Sequence, residues 1–167
     1  MLNDKTNKNQ NLQIHVTDGT GEGKTNISAF DAALMNAGIA NYNLIYLSSV
    51  IPKGSMIKIR KPKSNQKEYG NRLYVVMARS DQCTIGKEAW AGLGWIQDSM
   101  GRGLFAEHWA ESKEAVIKLI HNSLDDMKAL RSYNYGKIHH LVMGAKCKDR
   151  PVCALVMAVY KSENWEN

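Results

Sequence analysis

Only two stretches of this sequence repeat their apolar residues at helical spacing; most of the rest alternates, or runs apolar, in short segments bounded by turn residues. Two helices among many strands make an α+β layered domain, and that pattern constrains the fold most. The first helical stretch, TNISAFDAALMNAG, places Ile27, Phe30 and Leu34 at helical spacing. Thr25 can cap its start, and Gly38 suits the left-handed position past its end. The second, SKEAVIKLIHNSLDDMKALRS, gathers Val116, Ile120, Leu124 and Met127 on one side, with Asp125, Asp126 and Lys128 away from it. Strands are expected at NLQIHVTDG, running into a glycine-rich loop, and then at NLIYLSS, MIKIR, RLYVVMARS, 89–97, LFAEHWA, KIHHLVMGAKC and VCALVMAVY. Ile51 to Gly54 and DSMGRG read as turns, and KDRP as a hairpin connection between the last two strands. With no repeat or linker to divide it, the chain of 167 residues is expected to form one domain.

Hydrophobic residues make up 44% of the chain, enough for a real core. No apolar run approaches the ~18 residues needed to span a bilayer, and the N-terminal MLNDKTNKNQ has no hydrophobic signal region behind its charges. A cytoplasmic protein without a membrane partner is expected. Cys83, Cys147 and Cys153 are odd in number and lack CxxC or paired-histidine spacing, so reduced thiols in or near the core are expected. The net charge of +6, with Lys58, Arg60, Lys61, Lys63 and Lys67 clustered, raises nucleic-acid binding as a possibility. The same region, KPKSNQKEYG, has the composition of an exposed turn whose lysines serve solubility, and no nucleic-acid partner is expected.

The stretch DGTGEGKT, residues 18–25, nearly spells a phosphate-cradling P-loop, but Asp18 stands where that motif needs its first glycine. A carboxylate there repels phosphate, which favours a structural glycine loop. His15, His108, His121, His139 and His140 offer no zinc-like spacing, and neighbours on one strand point to opposite faces, so no metal site is expected. There is no GxSxG elbow for nucleophilic hydrolysis.

Three polar residues fall where the pattern calls for apolar ones. Asp31 follows Ile27 by one turn and precedes Leu34 by three residues; there it either needs a cation, or draws on the helix dipole at the edge of the stripe. Glu107 shares a strand face with Phe105 and Trp109. If both rings exclude water, desolvation raises its carboxyl toward the range of a general acid; otherwise the strand faces outward or carries a local salt bridge. Asn43 alternates with Asn41, Ile45 and Leu47, and either satisfies edge backbone or orients a carbonyl without adding charge.

The adjacent Ser48 and Ser49 end the run NYNLIYLSS. With their surroundings, FDAALMNAGIANYNLIYLSSVIPKG followed at a distance by GRGLFAEH, they closely resemble the pyruvoyl-dependent arginine decarboxylases over nearly the whole chain. The resemblance implies precursor cleavage at the Ser48–Ser49 bond, giving a β chain of 1–48 and an α chain of 49–167 that begins with a pyruvoyl group derived from Ser49. The residue type suits that chemistry. The Ser49 hydroxyl can attack the carbonyl of residue 48 to make an ester, and loss of the Cα proton then expels that ester. Dehydroalanine remains, and its hydrolysis leaves pyruvoyl and ammonia.

The resemblance further implies a Schiff base between this covalent cofactor and L-arginine, release of CO2, and agmatine as product. It assigns the proton donor to Glu107, the guanidinium partner to Asp31, and a hydrogen bond near the pyruvoyl carbonyl to Asn43. It also implies a four-layer αββα sandwich with mostly antiparallel sheets, assembled as a homotrimer or hexamer with sites between protomers. Six residues of extended strand separate Asn43 from Ser49 by ~20 Å, so a straight strand cannot put both in one small site, and a neighbouring subunit can. Lys53 after Pro52 departs from the family pattern. The alternatives are another basic amino acid as substrate, because lysine or ornithine could also use the carboxylate, or a non-enzymatic nucleotide- or nucleic-acid-binding domain.

Overall fold

The computed structural model describes residues 11–63 and 65–166; the polar MLNDKTNKNQ segment lies outside them. In chain order the elements are β1 (Gln13–Glu22), α1 (Asn26–Asn36), β2 (Asn43–Tyr46), β3 (Val50–Ile51), β4 (Met56–Ile59), a 3-10 turn (Gln66–Glu68), β5 (Arg72–Gln82), β6 (Glu88–Gln97), β7 (Gly103–Ala110), α2 (Lys113–Ala129), β8 (His139–Lys146) and β9 (Val152–Glu163). They build two sheets, one in the order β2-β5-β9-β1-β4 and one in the order β3-β7-β6-β8. Pairing is antiparallel except for β1 with β4 and β2 with β5, at the edges of the larger sheet.

Three apolar layers hold the elements together. Ala29, Ala33 and Ala37 of the α1 region pack on Val75, Cys153, Leu155 and Met157. Ile14, Val16, Val76, Val156 and Ala158 meet Ile51, Leu93, Trp95 and Phe105 between the sheets. Val116, Ile120 and Leu124 of α2 pack on Ile96, Leu104 and Ala106. The order α1, sheet, sheet, α2 is the expected four-layer α+β sandwich. In the larger sheet β9 is central and is covered on both faces, which is why VCALVMAVY is continuously apolar rather than alternating. Each large aliphatic side chain buried in these layers contributes about 1.5–3 kcal/mol relative to exposure.

Both helix starts follow from local chemistry. Thr25 Oγ1 accepts from the Ser28 amide and Ser28 Oγ accepts from the Thr25 amide, a reciprocal cap. Ser112 Oγ accepts from the Ala115 amide at the start of α2. Gly38, at φ 79°, takes the left-handed position beyond α1.

The structure corrects several expectations. The glycine-rich stretch is not a loop, because β1 runs through it to Glu22. A β-carbon at Gly19 or Gly21 would overlap α1 backbone at Ala33, so these glycines let the helix lie directly on the strand. The Asp18 carboxylate sits 3.5 Å from Lys61 Nζ. KDRP does not close a hairpin, since β8 and β9 belong to different sheets and the segment crosses between them. Ile27 is 77% exposed, because the buried stripe of α1 is made by its alanines, with Phe30 and Leu34 at the margin. Cys147 and Cys153 are buried, whereas Cys83 is exposed; all three are free thiols.

Candidate active site

The chain passes from one sheet to the other at the serine pair. β2 runs beside β5, and the Leu47 amide extends that ladder by donating to Val75 O at 2.8 Å. Three residues later β3 lies at the edge of the smaller sheet, with Val50 opposite Leu104 and Ile51 opposite Gly103. Ser49 makes the corner and adopts φ 62°, a left-handed conformation that costs a residue with a side chain on the order of 1–3 kcal/mol. Hydrogen bonds on both sides of the corner hold it there. Phe105 N–H donates to Ser49 O at 2.8 Å, and Tyr160 Oη donates to Val50 O at 2.8 Å.

Strand β7 supplies the carboxylate. Its alternation sends Leu104 and Ala106 toward α2, and Phe105 and Glu107 toward the space between the sheets. There the Ser49 hydroxyl donates to Glu107 Oε1 at 2.5 Å. Phe105 is fully buried beside it, edge-on to Tyr160 at 6.3 Å and tilted against Trp95 at 6.4 Å between ring centroids. Burial, and secondarily the Glu107 charge, push the Tyr160 hydroxyl well above its usual range, so it remains a donor. Of the two rings expected beside Glu107, which is itself half-buried, Phe105 is fully buried on that strand face. Trp109 is 63% exposed, because the far end of β7 extends beyond the layer that covers Phe105.

Asp31 and Asn43 are placed elsewhere on the chain. Asp31 lies on the exposed side of α1 and forms no salt bridge among the described residues. It stands between Ile27 and Met35 at intervals of four residues, both of them exposed. Asn43 is exposed on the edge strand, and its Nδ2 donates to Gly70 O at 2.7 Å. Ser48 is exposed. The chain itself therefore unites Ser49 with Glu107, and among the described residues no hydrogen bond ties Asp31 or Asn43 to that pair. Sequence patterning missed Tyr160, whose hydroxyl is hidden in an apolar run; the available signal was that a phenol buried on a central strand needs an acceptor.

The fold and this corner define a class: an αββα protein with a serine hydroxyl held on a carboxylate where the chain crosses between sheets. A family model described as pyruvoyl-dependent arginine decarboxylase matches residues 13–164, and the chain belongs to that family. Similar curated proteins bear the same name: one from Thermococcus sibiricus, 32% identical over 84% of this chain and 89% of its own length, and one from Methanopyrus kandleri, 26% identical over 86% and 92%. A Halobacterium salinarum relative of that name is 39% identical, over 57% of this chain, and the match spans 59% of its length. The family's cofactor is a covalent pyruvoyl group, and the residues at the corner fit one made at position 49. Ser49 carries the β-hydroxyl that its formation requires, and that hydroxyl is on a carboxylate.

Proposed function

We propose that the protein cleaves its own Ser48–Ser49 bond and then decarboxylates L-arginine to agmatine and CO2. The observation that carries this reading is the Ser49 hydroxyl on Glu107 at a left-handed corner. As Ser49 Oγ adds to the Ser48 carbonyl carbon, Glu107 takes the hydroxyl proton, and the Ser49 nitrogen leaves with a proton in its place. The backbone strain at Ser49 favours this exchange, because the amide that breaks is part of what holds the corner. Loss of the Ser49 Cα proton to base then expels Ser49 Oγ as part of the new Ser48 carboxylate, and water converts the dehydroalanine left behind to pyruvoyl with release of ammonia. Glu107 loses its hydroxyl partner by that step and is left beside residue 49, free to hold a proton for the product carbon.

The pyruvoyl group supplies the carbonyl to which the substrate amine attaches and which takes up the electron pair left by departing CO2. Phe105, Trp95 and Tyr160 keep that side of the site apolar, which strengthens each charge interaction within it. Asp31 and Asn43 serve the site of an adjacent protomer in a trimer or hexamer, Asp31 by pairing with the guanidinium and Asn43 by hydrogen bonding near the carbonyl. The exposed Ile27, Asp31 and Met35 stripe and the exposed Ile45 and Tyr46 support a covered face there. Free thiols suit work in the cytoplasm.

The test is mass spectrometry of the purified chain followed by CO2 release from arginine, lysine and ornithine. Two fragments divided after residue 48 and turnover with arginine are expected. An intact chain without a carbonyl terminus contradicts cleavage, and preference for a shorter substrate contradicts arginine.

A further inference from the structure

Strand β3 is two residues long and lies at a sheet edge, so it is laddered on one side only. The bonds on that side go to β7, and the Phe105 amide holds Ser49 O. Val50 O is bonded instead from the opposite sheet, by the Tyr160 hydroxyl. Without that donor, a carbonyl beside the apolar layer would lack a protein partner. Tyr160 reaches it by strand alternation, which puts Val156, Ala158 and Tyr160 together on the face between the sheets while Leu155, Met157 and Val159 pack on the α1 side. Along the β5–β9 ladder Tyr74 faces Lys161 and Val75 faces Val159, which leaves Tyr160 as the extra residue of a bulge.

We infer that Tyr160 is a positioning residue for residue 49, acting through the Val50 carbonyl and needed chiefly once the chain has been cut. The inference rests on the self-cleavage proposed above. In the uncut chain, residue 49 is held by continuous backbone on both sides, with Leu47 tied to β5 upstream. Cutting removes the upstream tether. The new terminus is then fixed by the short β3 ladder on one side and by Tyr160 on the other. Loss of the hydroxyl lets the terminus drift from Glu107, and displacements of about 1 Å at a reacting centre cost up to a hundredfold in rate.

Tyr160→Phe keeps the ring and removes the hydroxyl. Its self-cleavage rate is expected within about threefold of wild type, with kcat for arginine down about tenfold or more, KM within about threefold, and an unshifted pH profile, since the hydroxyl exchanges no proton. A readout independent of turnover is hydrogen exchange of the Phe105 amide. Exchange should be faster in cut Tyr160→Phe than in cut wild type, and nearly unchanged when Tyr160→Phe is placed in the uncut Ser49→Ala chain.

Wild-type kcat and Phe105 exchange in fully cut Tyr160→Phe overturn the inference. So does a variant that fails to fold or to cut, which assigns the hydroxyl to stability or to cleavage instead. Uncut wild type overturns both proposals. Wild type that cuts but does not consume arginine overturns the substrate alone, and the exchange comparison still decides Tyr160.

Discussion

Ser49 and Asn41 are the residues other than glycine with positive φ among those described, and they differ in kind. Asparagine visits the left-handed region readily, because its short amide can bond locally. Serine has less such recourse, so the contacts of Ser49 with Phe105, Glu107 and, through Val50, Tyr160 must hold it. In the proposed mechanism Glu107 has two roles, proton acceptor during cleavage and donor during turnover, and they can be tested apart. Glu107→Gln still offers a carbonyl oxygen to the Ser49 hydroxyl but cannot carry a proton. It is expected to cut more slowly than wild type, yet to completion, and to lose about a hundredfold or more in kcat for arginine. Electrophoresis over time and a CO2 assay measure the two separately, and undiminished turnover would remove Glu107 from the mechanism.

At the scale of elements, the approach of α1 to β1 is the clearest case in which identical residues supported two readings. Glycines at alternate positions 19, 21 and 23 look like a phosphate loop when read alone. Beside the alanines of α1 they form a surface flat enough for helix backbone to touch strand backbone. Sequence could not decide between these, because the deciding partner is a different element. Gly21→Ala is expected to destabilise the fold by about 2 kcal/mol or more, since a β-carbon there meets backbone that cannot rotate away. Thermal unfolding should show Tm lower by roughly 4 °C or more. Tyr160 likewise lies in an element that reads only as core, and what its hydroxyl meets is set by the facing sheet.

For the whole molecule, Asp31 is exposed on α1 with no hydrogen bond to the Ser49–Glu107 pair among the described residues, and its proposed role therefore depends on assembly. Asp31→Asn should cut normally and lose at least about thirtyfold in kcat/KM, the usual consequence of removing one partner of a desolvated charge pair. If sites form between protomers, a mixture of Asp31→Asn and Glu107→Gln chains, unfolded and reassembled together, regains activity that neither has alone. Absence of recovery in confirmed mixed assemblies would place the site within one chain.

Stability should also depend on pH. Burial holds His15, His108 and His140 below the ordinary 6.5, aided by Arg60 and Lys58 at His15 and by His121, Lys113 and His139 at His140. Glu107 opposes the shift at His108. The unfolded chain therefore binds protons first as pH falls through 6.5, and stability drops from there downward. Glu68, held below the usual 4.5 by hydrogen bonds from Ser162, Tyr42 and Asn65, extends the loss at lower pH. Tm at pH 5.5 should lie below that at pH 7.5; the reverse order would contradict these shifts.

The sequence by itself determined both helices and most of the strands, the cap at Thr25, the α+β class and a serine at position 49 with the β-hydroxyl that a pyruvoyl group requires. These depend on periodicity and on local chemistry within a few residues. Only the tertiary structure decided that β8 and β9 part into different sheets, that Ile27 and Asp31 face outward, that Trp109 leaves Glu107 partly open, and that Tyr160 reaches Val50. Patterning records which side of an element is apolar but not which partner covers it. The two contacts that define the corner join positions 58 and 110 residues apart, and only the packing of one sheet on the other brings them together.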